Sequence, residues 1–285
     1  MKAANRNDRS AIAQETLAIV EKGFYLSPLG RRVDLGPMIE ESQQGTELLR
    51  PQNWAEIHAA AQAVPQADHP TMIEVTAETT LAAARRLSCV PGSRVLALNF
   101  ASAKNPGGGF LGGSQAQEES LARASGLYPC LLKCPEYYQA NRTCGTLLYT
   151  DHAIYSPSVP VFRDDEDQLI EEPFVTSFVT MPAPNIGAMR AGSLQIADVE
   201  GVLRQRVDHV LALAVARGYS HLVLGAWGCG VFGNDPAVVA KAFEQSLITW
   251  GTRVKTTTFA IFDTIGHTRE VFARQLAPEQ QEGRP

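Results

Sequence analysis

The chain carries little charge, and no part of it concentrates charge of one sign. Charged residues make up 19% of its 285 residues, and the formal net charge is -5. Lys and Arg are scattered along the sequence, so they do not form the basic stripe that binds a nucleic-acid backbone. If the substrate is a polyanion, the sequence predicts that individual loops hold it.

Long apolar runs are lacking, and cysteine is sparse. No segment approaches the roughly 20 apolar residues that cross a membrane, and no apolar stretch opens the sequence. Five cysteines, an odd number, predict a reduced cytoplasmic protein without a disulfide framework. Cys130, Cys134, Cys144 and His152 contain no CxxC pair. We therefore interpret these cysteines as small buried side chains and predict no metal site.

Residues 1–75 have the pattern of a mainly helical extension. RSAIAQETLAIVEKG predicts a helix with Ser10 as its N-cap and Gly23 as its stop, and NWAEIHAAAQAV and EVTAETTLAAARRLS predict two more. RRVDL predicts a short hairpin or loop. We expect this extension to pack against a core over residues 76–275, with a flexible tail over 276–285.

From Arg94 onward, strand and helix patterns alternate. RVLALNFAS predicts a buried strand and QAQEESLARASGLYPCLL a helix, while YTDHAIYSPSVPVFRDD predicts paired edge strands and a turn before the strand EPFVTSFVTMPAPN. Two more helices, IADVEGVLRQRVDHVLALAVARG and NDPAVVAKAFEQSLITW, accompany the strands SHLVLG and TTTFAIFD. This order predicts an α/β sheet covered by helices on both faces. The acidic run from Arg163 to Asp167 could suggest a cation site, but a solvated hairpin tip is the better interpretation, because the flanking segments have strand patterns.

Two glycine-rich loops interrupt this pattern, and the second is GAWGCGVFGND. It leads from a strand into a helix, with Asp235 as the expected N-cap and Pro236 at the first helical position. Converging backbone amides at such a place favour an anion, usually a phosphate, although a tight turn alone would also need glycine. Cys229 is a possible nucleophile, but no His is spaced to pair with it, so small-residue packing is the better interpretation.

The first loop, GGGFLGGSQAQEE, raises a nicotinamide-cofactor hypothesis. Gly107, Gly109 and Gly112 match G-x-G-x-x-G. A dinucleotide fold places its glycines directly after the strand, whereas ASAKNP intervenes here, and CPEYYQANR does not have a strand pattern. The sequence disfavours the dinucleotide interpretation, and neither loop has the GK[ST] of a Walker A motif.

Glu118 and Glu119 follow the first loop. Adjacent helical residues point about 100° apart, so the two carboxylates are expected to divide their roles. Hydrolysis of a glycosidic bond needs a carboxylic acid to protonate the departing oxygen and a carboxylate to activate water. A pair of glutamates that only complements the helix dipole is the alternative.

The segment NFASAKNPGGGFLGGSQAQEE resembles the signature of poly(ADP-ribose) glycohydrolases of the compact bacterial type. GAWGCGVFGND is similar to the diphosphate-binding loop of that family, and the likeness extends from the first helix to about Gln275. The resemblance implies a macrodomain-like mixed central sheet flanked by helices on both faces, with ADP-ribose in a cleft between the two loops.

The resemblance also implies roles for individual residues. Glu119 would be the general acid and base, Glu118 would hold a ribose, and Gln117 would fix the ligand. The remaining substrate-binding residues implied are Gly107, Gly108, Gly109, Gly228, Cys229, Gly230, Val231, Phe232 and Asn185, and the adenine candidates are Pro182–Asn185 and Asp263 at the end of the last strand. Ser102 stands where animal-type relatives carry asparagine.

By the same resemblance, the extension would cap the ribose site and restrict cleavage to the chain terminus. The implied protein is a cytoplasmic, monomeric hydrolase without cofactor, acting on poly(ADP-ribose) and ADP-ribosylated proteins in the reversal of ADP-ribosylation after DNA damage. Two alternatives stay open: a non-catalytic ADP-ribose-binding module, and a hydrolase of another ADP-ribose derivative.

Overall fold

The computed structural model describes residues 5–68, 70–189 and 196–277, without the side chains of Ile196 and Ala197. The chain divides into two compact units. The first unit comprises Met1–Leu49, Asn99–Thr143 and His152–Met181, and the second comprises Arg50–Leu98, Cys144–Asp151 and Pro182–Pro285.

Helices and strands are numbered separately, in chain order. The helices are α1 (Arg6–Lys22), α2 (Gly36–Gln44), α3 (Trp54–Gln62), α4 (Thr80–Ser88), α5 (Gln117–Ala124), α6 (Leu127–Leu132), α7 (Pro135–Thr143), α8 (Ile196–Ala216), α9 (Pro236–Trp250) and α10 (His267–Leu276). The strands are β1 (Phe24–Leu26), β2 (Arg32–Asp34), β3 (Glu47–Leu49), β4 (Met72–Thr76), β5 (Val95–Phe100), β6 (Ala153–Arg163), β7 (Leu169–Met181), β8 (His221–Leu224) and β9 (Thr256–Ala260).

The first unit is built on antiparallel strands. β6 pairs with β3 on one side and with β7 on the other, and its register shifts between Ser156 and Val159. β1 and β2 form a separate hairpin. Tyr25 and Val33 of this hairpin are buried in one apolar cluster with Leu35, Ile39 of α2 and Phe162 of β6. The N-terminal segment therefore packs on β6 through apolar side chains.

The second unit contains parallel strands. β5 pairs with β8, β8 with β9, and β9 with β4. β8 and β9 are buried along their whole length, as expected for parallel strands covered on both faces. The rings of Phe243, Phe259 and Phe272 pack in series, with centroid distances of 5.1 and 5.8 Å, and join α9 and α10 to β9.

The predicted fold class is confirmed, because antiparallel and parallel pairing both occur and helices pack on the strands. Several local predictions are wrong. The N-cap of α1 is Asn5, so Ser10 lies inside the helix, whereas Gly23 is the C-cap as predicted. The segment EVTAETTLAAARRLS begins as strand β4 and only then becomes α4.

Other differences have tertiary causes. The single helix predicted over residues 115–132 is broken into α5 and α6 at Ser125, whose backbone bridges to Val161. β6 is not an edge strand, because β3 covers its free side. The proposed boundaries of the extension and core stay predictions, and residues 278–285 of the predicted tail lie outside the described residues.

The acidic run is only partly the solvated tip that the sequence predicts. Asp165 and Glu166 are exposed, but the Asp167 side chain is 13% exposed and forms an ion pair with Arg123. The neighbouring Arg163 is also buried and pairs with Glu15 of α1. The tip is therefore anchored to buried charges in the first unit.

Helix α1 binds the glycine-rich loop directly. Three of its side chains donate to three successive carbonyls: Ser10 Oγ to Leu111 (2.7 Å), Arg6 Nε to Gly112 (2.9 Å) and Arg9 Nε to Gly113 (2.9 Å). The backbone carbonyl of Arg6 lies where a Cβ at position 113 would stand. This close approach needs an α-carbon without a side chain, so α1 can pack on the loop only if residue 113 is glycine.

We predict that Gly113→Ala destabilises the protein by about 2 to 4 kcal/mol, since alanine would adopt a left-handed backbone, with φ +72°, and overlap α1. Gly30→Ala is the matched control. It has φ +78° and open space around its Cβ, so only the backbone cost of about 1 kcal/mol applies. Urea unfolding measures both, and equal losses would show that the contact with α1 is unimportant.

Candidate active site

Helix α5 begins against the end of strand β5. Its first residue, Gln117, accepts a hydrogen bond at Oε1 from the backbone N–H of Phe100, at 2.8 Å. The N-cap residue Ala116 offers no side-chain acceptor, so the first turn is held by this contact with the strand. As a result, Glu118 and Glu119 are placed beside the segment that follows β5.

Glu118 is buried, with 3% of its surface exposed. Its Oε2 accepts from the Ser102 backbone N–H at 2.6 Å, and its Oε1 accepts from Asn99 Nδ2 at 3.3 Å. Asn99 Nδ2 also donates to Thr180 Oγ1 at 3.0 Å. Burial raises the pKa of the Glu118 carboxyl to about 8, outweighing these hydrogen bonds, so the group is mostly protonated at neutral pH.

Glu119 has a different environment from its neighbour. It is half-buried, and its Oε1 accepts from the backbone N–H of Gly109 at 2.9 Å. Its Oε2 receives no hydrogen bond from the described residues. The two adjacent carboxyls therefore differ as the helical geometry predicts: one is enclosed in the protein, and the other has an oxygen available to a ligand.

Each glycine of the triple is required by a different neighbour, and the two carboxyls require Gly108. Gly108 has φ +61°, and a Cβ there would overlap Oε1 of Glu119 and lie 3.3 Å from Oε2 of Glu118. A Cβ at Gly109 would lie 2.5 Å from Ser114 Oγ, and one at Gly107, with φ +65°, 2.9 Å from the Phe110 ring. Bare backbone at Gly108 lets both acids approach the loop, and bare backbone at Gly107 and Gly109 lets the loop pack on Phe110 and Ser114.

Sequence reasoning missed Asn99 and Thr180, which complete the surroundings of Glu118. Asn99 is fully buried, and its Oδ1 has no hydrogen-bond partner in the described part of the chain. A signal was present, because Asn99 is the one polar residue in the apolar run VLALNF. A buried amide in a strand core is costly unless it has a specific partner.

The second loop joins β8 to α9 within the second unit. Asp235 caps α9 by accepting from Ala237 N at 2.8 Å, and Pro236 is the first helical residue, both as predicted. Gly228 has φ +74°, and a Cβ there would lie 2.6 Å from the Ala183 Cβ. The buried Asn234 fixes the loop by donating through Nδ2 to the carbonyls of Pro184 and Gly228, at 2.8 and 3.1 Å.

This loop presents backbone donors. Within the residues described, the N–H groups of Gly230, Val231 and Phe232 donate to no acceptor. The Val231 side chain is 87% exposed, and a Cβ at Gly230 would meet nothing within 4 Å. Consecutive unpaired N–H groups shortly before a helix start are suited to binding an anion.

The remaining candidates in the second unit have structural contacts. Asn185 Nδ2 donates to the Tyr149 hydroxyl at 3.3 Å, and the Phe232 ring lies 6.2 Å from the Tyr149 ring. Cys229 is a poor nucleophile, because burial and then Asp235 raise the pKa of its thiol to about 12. Asp263 lies three residues beyond the end of β9, where it accepts from Ile265 N and Thr268 N.

The described residues were also compared with what a metal site or a membrane-spanning helix requires. No group of three or more His, Cys, Asp or Glu side chains among the described residues is arranged to hold a metal ion. Cys130 and Cys134 are buried, as predicted, whereas the prediction is wrong for Cys144, which is only partly buried. None of the described helices is long and apolar enough to cross a membrane.

The two loops and the fold match a known family. Residues 13–164 match the model for the catalytic domain of microbial-type PARG, the poly(ADP-ribose) glycohydrolases. This chain belongs to the microbial-type poly(ADP-ribose) glycohydrolase family and is a hydrolase. Comparison with functionally curated proteins gives no match.

Solved structures of bacterial relatives agree with this assignment. The poly(ADP-ribose) glycohydrolase of Thermomonospora curvata is 46% identical, with a TM-score of 0.90 over 95% of this chain and 100% of that one. Its complex with the inhibitor ADP-HPD gives 47% identity and a TM-score of 0.88 over the same shares. The Deinococcus radiodurans enzyme in complex with ADP-ribose is 45% identical, with a TM-score of 0.80 over 85% of this chain and 98% of that one.

We predict that Gly108→Ala lowers the hydrolase rate about a hundredfold, because an added methyl must displace the Glu119 carboxyl by about 1 Å. Gly92→Ala is the matched control, since Gly92 has φ +71° but open space around it. Steady-state kinetics on both variants tests this, and a rate for Gly108→Ala equal to that of the control would contradict it.

We predict that Glu118→Gln stabilises the protein above pH 8 but not at pH 5. The folded-state pKa of Glu118 is raised, so its contribution is fully present below the ordinary pKa of about 4.5 and is lost as pH rises through about 8. The neutral amide of Glu118→Gln does not titrate and has no such loss. The free energy of unfolding of this variant should therefore exceed that of the wild type by several kcal/mol at most, at about 1.4 kcal/mol per pKa unit.

Thermal unfolding from pH 5 to 9 measures this difference, with the exposed Glu166→Gln as control. A constant difference between Glu118→Gln and the wild type across this range would mean that Glu118 is ionised in the folded protein.

Proposed function

We propose that this chain hydrolyses the ribose-ribose O-glycosidic bond of poly(ADP-ribose) and releases ADP-ribose. The observation that carries the proposal is the pair of unlike carboxyls, Glu118 and Glu119, packed against the bare backbone of Gly108. Relatives that are 45 to 47% identical have been solved with ADP-ribose or with the inhibitor ADP-HPD. Both facts support ADP-ribose as the ligand.

We assign the proton transfers to Glu119. Its carboxyl would give a proton to the leaving ribose oxygen while the bond from that oxygen to the anomeric carbon breaks. The resulting carboxylate would then remove a proton from the water that attacks the same carbon, which restores the starting acid. This role is supported by the Glu119 Oε2 atom, which receives no hydrogen bond from the residues described.

Glu118 and Gln117 would position the sugar. Glu118, protonated at neutral pH, can donate to or accept from the hydroxyls of the adjacent ribose. The Gln117 side chain is fixed at the end of β5, where its Oε1 accepts from Phe100 N, and we assign it a contact that helps to fix the ligand. Gly107, Gly108 and Gly109 would allow the ribose and diphosphate to approach the loop backbone closely.

The second loop would bind the diphosphate. Gly228 and Cys229 shape it, and the N–H groups of Gly230, Val231 and Phe232 are its free donors among the described residues. Two or three such donors to one anionic group are charge-assisted hydrogen bonds. The Phe232 ring and Asn185, which both lie at Tyr149, are our candidates for ribose and adenine contacts.

We further propose that cleavage is mainly from the chain terminus. Helix α1 binds the carbonyls of Leu111, Gly112 and Gly113, so the N-terminal extension covers one side of the catalytic loop within the first unit. A covered loop favours a terminal ribose over one inside the polymer. The reversal of protein ADP-ribosylation, the monomeric state and the cytoplasmic location stay predictions.

A non-catalytic ADP-ribose-binding module is the second candidate, because the donors of the second loop would bind the ligand without an acid. The unlike environments of Glu118 and Glu119 favour catalysis over binding alone. A third candidate is a hydrolase that acts on a mono-ADP-ribosylated side chain. Such an enzyme would prefer an amino-acid leaving group, whereas the proposed enzyme would prefer ribose, so substrate preference distinguishes the two.

We predict that Glu119→Gln lowers release of ADP-ribose from purified polymer by about 10²- to 10⁴-fold, the usual contribution of a general acid. Glutamine keeps the oxygen that accepts from Gly109 N, so the loop should stay in place. Chromatography of released ADP-ribose measures the rate, and calorimetry with ADP-ribose should give an affinity within a few-fold of the wild type.

Equal rates for Glu119→Gln and the wild type would remove the acid assignment. Binding of ADP-ribose by a wild-type protein that releases none from polymer would support the binding module instead. The length distribution of the remaining polymer tests the terminal mode, since cleavage from the end produces ADP-ribose without early medium-length fragments.

A further inference from the structure

A buried ion pair connects the acidic turn to the catalytic loop. Arg123 of α5 is 1% exposed, and its Nε donates to Asp167 Oδ1 at 3.1 Å. Asp167 lies in the turn between β6 and β7, with φ +61°. The pair lies within the first unit, outside the set of residues proposed to contact substrate.

The other end of Arg123 grips the segment that precedes the acids. Its Nη1 donates to the Ser114 carbonyl at 3.0 Å, and its Nη2 donates to Gln115 Oε1. One guanidinium therefore fixes two of the three residues between Gly113 and α5. Its planar, rigid fork suits this double contact, which a lysine ammonium would not reproduce.

From Ser114 a short series of contacts leads to Glu119. The Ser114 N–H donates to the Gly109 carbonyl at 3.2 Å, and the Gly109 N–H donates to Glu119 Oε1 at 2.9 Å. Any shift of Ser114 therefore moves the donor that holds the Glu119 carboxyl. The contacts run from Asp167 through Arg123, Ser114 and Gly109 to the acid.

A second buried arginine fixes the turn itself. Arg163 Nη1 donates to the Asp167 carbonyl at 2.9 Å, and its Nη2 donates to Glu15 Oε2 at 2.7 Å. Thr16 Oγ1 accepts from Arg163 Nε and donates to the Arg123 carbonyl. Two cations and two carboxylates thus form a charge-balanced network around the turn.

We infer that Asp167 and Arg123 are positioning residues for the hydrolysis, acting on Glu119 through the backbone of Ser114 and Gly109. The inference rests on the proposed function for its kinetic consequence, whereas its effect on loop order does not depend on activity. Arg123 is charged and buried, so it needs Asp167 to hold a single orientation. Without that partner, its contacts with Ser114 and Gln115 would loosen.

The test is Asp167→Asn, compared with Glu166→Gln on the same turn. Asparagine has the same shape as aspartate, tolerates the left-handed backbone and keeps the acceptor, but it removes the charge. We expect kcat to fall about ten- to a hundredfold with KM within twofold, because the acid is displaced and the ligand contacts are kept. Glu166 is exposed, and its substitution should leave both constants unchanged.

Hydrogen–deuterium exchange of the peptide over residues 107–116 gives a readout that needs no turnover. Asp167→Asn should speed exchange there, including at Gly109 N–H, whereas Glu166→Gln should not. If the wild type and Glu166→Gln release ADP-ribose while Asp167→Asn matches them in kcat and exchange, the positioning role is wrong and the proposed function stands. If the wild type releases none, the proposed function fails, and exchange alone decides on the positioning.

A double variant separates positioning from folding. Asp167→Asn leaves an unpaired buried cation and can unfold the protein, whereas Arg123→Gln with Asp167→Asn removes both charges and should recover thermal stability. Glutamine is too short to reach Ser114 and Gln115 together, so kcat should stay low and exchange fast. If the double variant recovers kcat as well as stability, the Arg123–Asp167 pair has only a structural role.

Discussion

The close approach of the Gly108 backbone to two adjacent carboxyls is the contact on which the site depends. It requires a left-handed glycine, because a side chain at that position would occupy the place of the Glu119 oxygen. It also requires that the loop be held from outside, since glycine contributes no side-chain packing of its own. Helix α1 supplies three donors to the loop carbonyls, and Arg123 holds its far end. The N-terminal helix is therefore part of what holds this loop in place.

The buried carboxyl of Glu118 shows which of two opposing effects wins. A helix N-terminus and the N–H of Ser102 favour the ionised form, and burial favours the neutral one. At 3% exposure, burial dominates and raises the pKa to about 8. A neutral Glu118 places no negative charge beside the Glu119 side chain. The nearby Asn99 suits a neutral carboxyl, because its amide can donate a hydrogen bond to that carboxyl or, after rotation, accept one from it.

The sequence was informative wherever the cause of structure is local. Asp235 and Pro236 start α9 by capping chemistry, and Gly108 and Gly228, one in each loop, have the positive φ that favours glycine. It failed where a distant partner decides. Residues 72–76 form a strand because β9 pairs with them, and α5 stops at Ser125 because Val161 bridges it. The sequence could not predict that the Asp167 side chain is mostly buried either, since a charged turn normally faces water. Only the fold brings Arg123 beneath it.

The two glycine-rich loops use the same chemistry in opposite ways. In the first, the N–H of Gly109 donates to Glu119, so this donor orients a carboxyl of the protein itself. In the second, three successive N–H groups from Gly230 to Phe232 have no acceptor among the described residues, while Asn234 and Asp235 hold the surrounding turn. A phosphate offered to the first loop would compete with its own acid, whereas the second loop has no such competitor. Backbone hydrogen bonding alone therefore favours acid chemistry at the first loop and anion binding at the second.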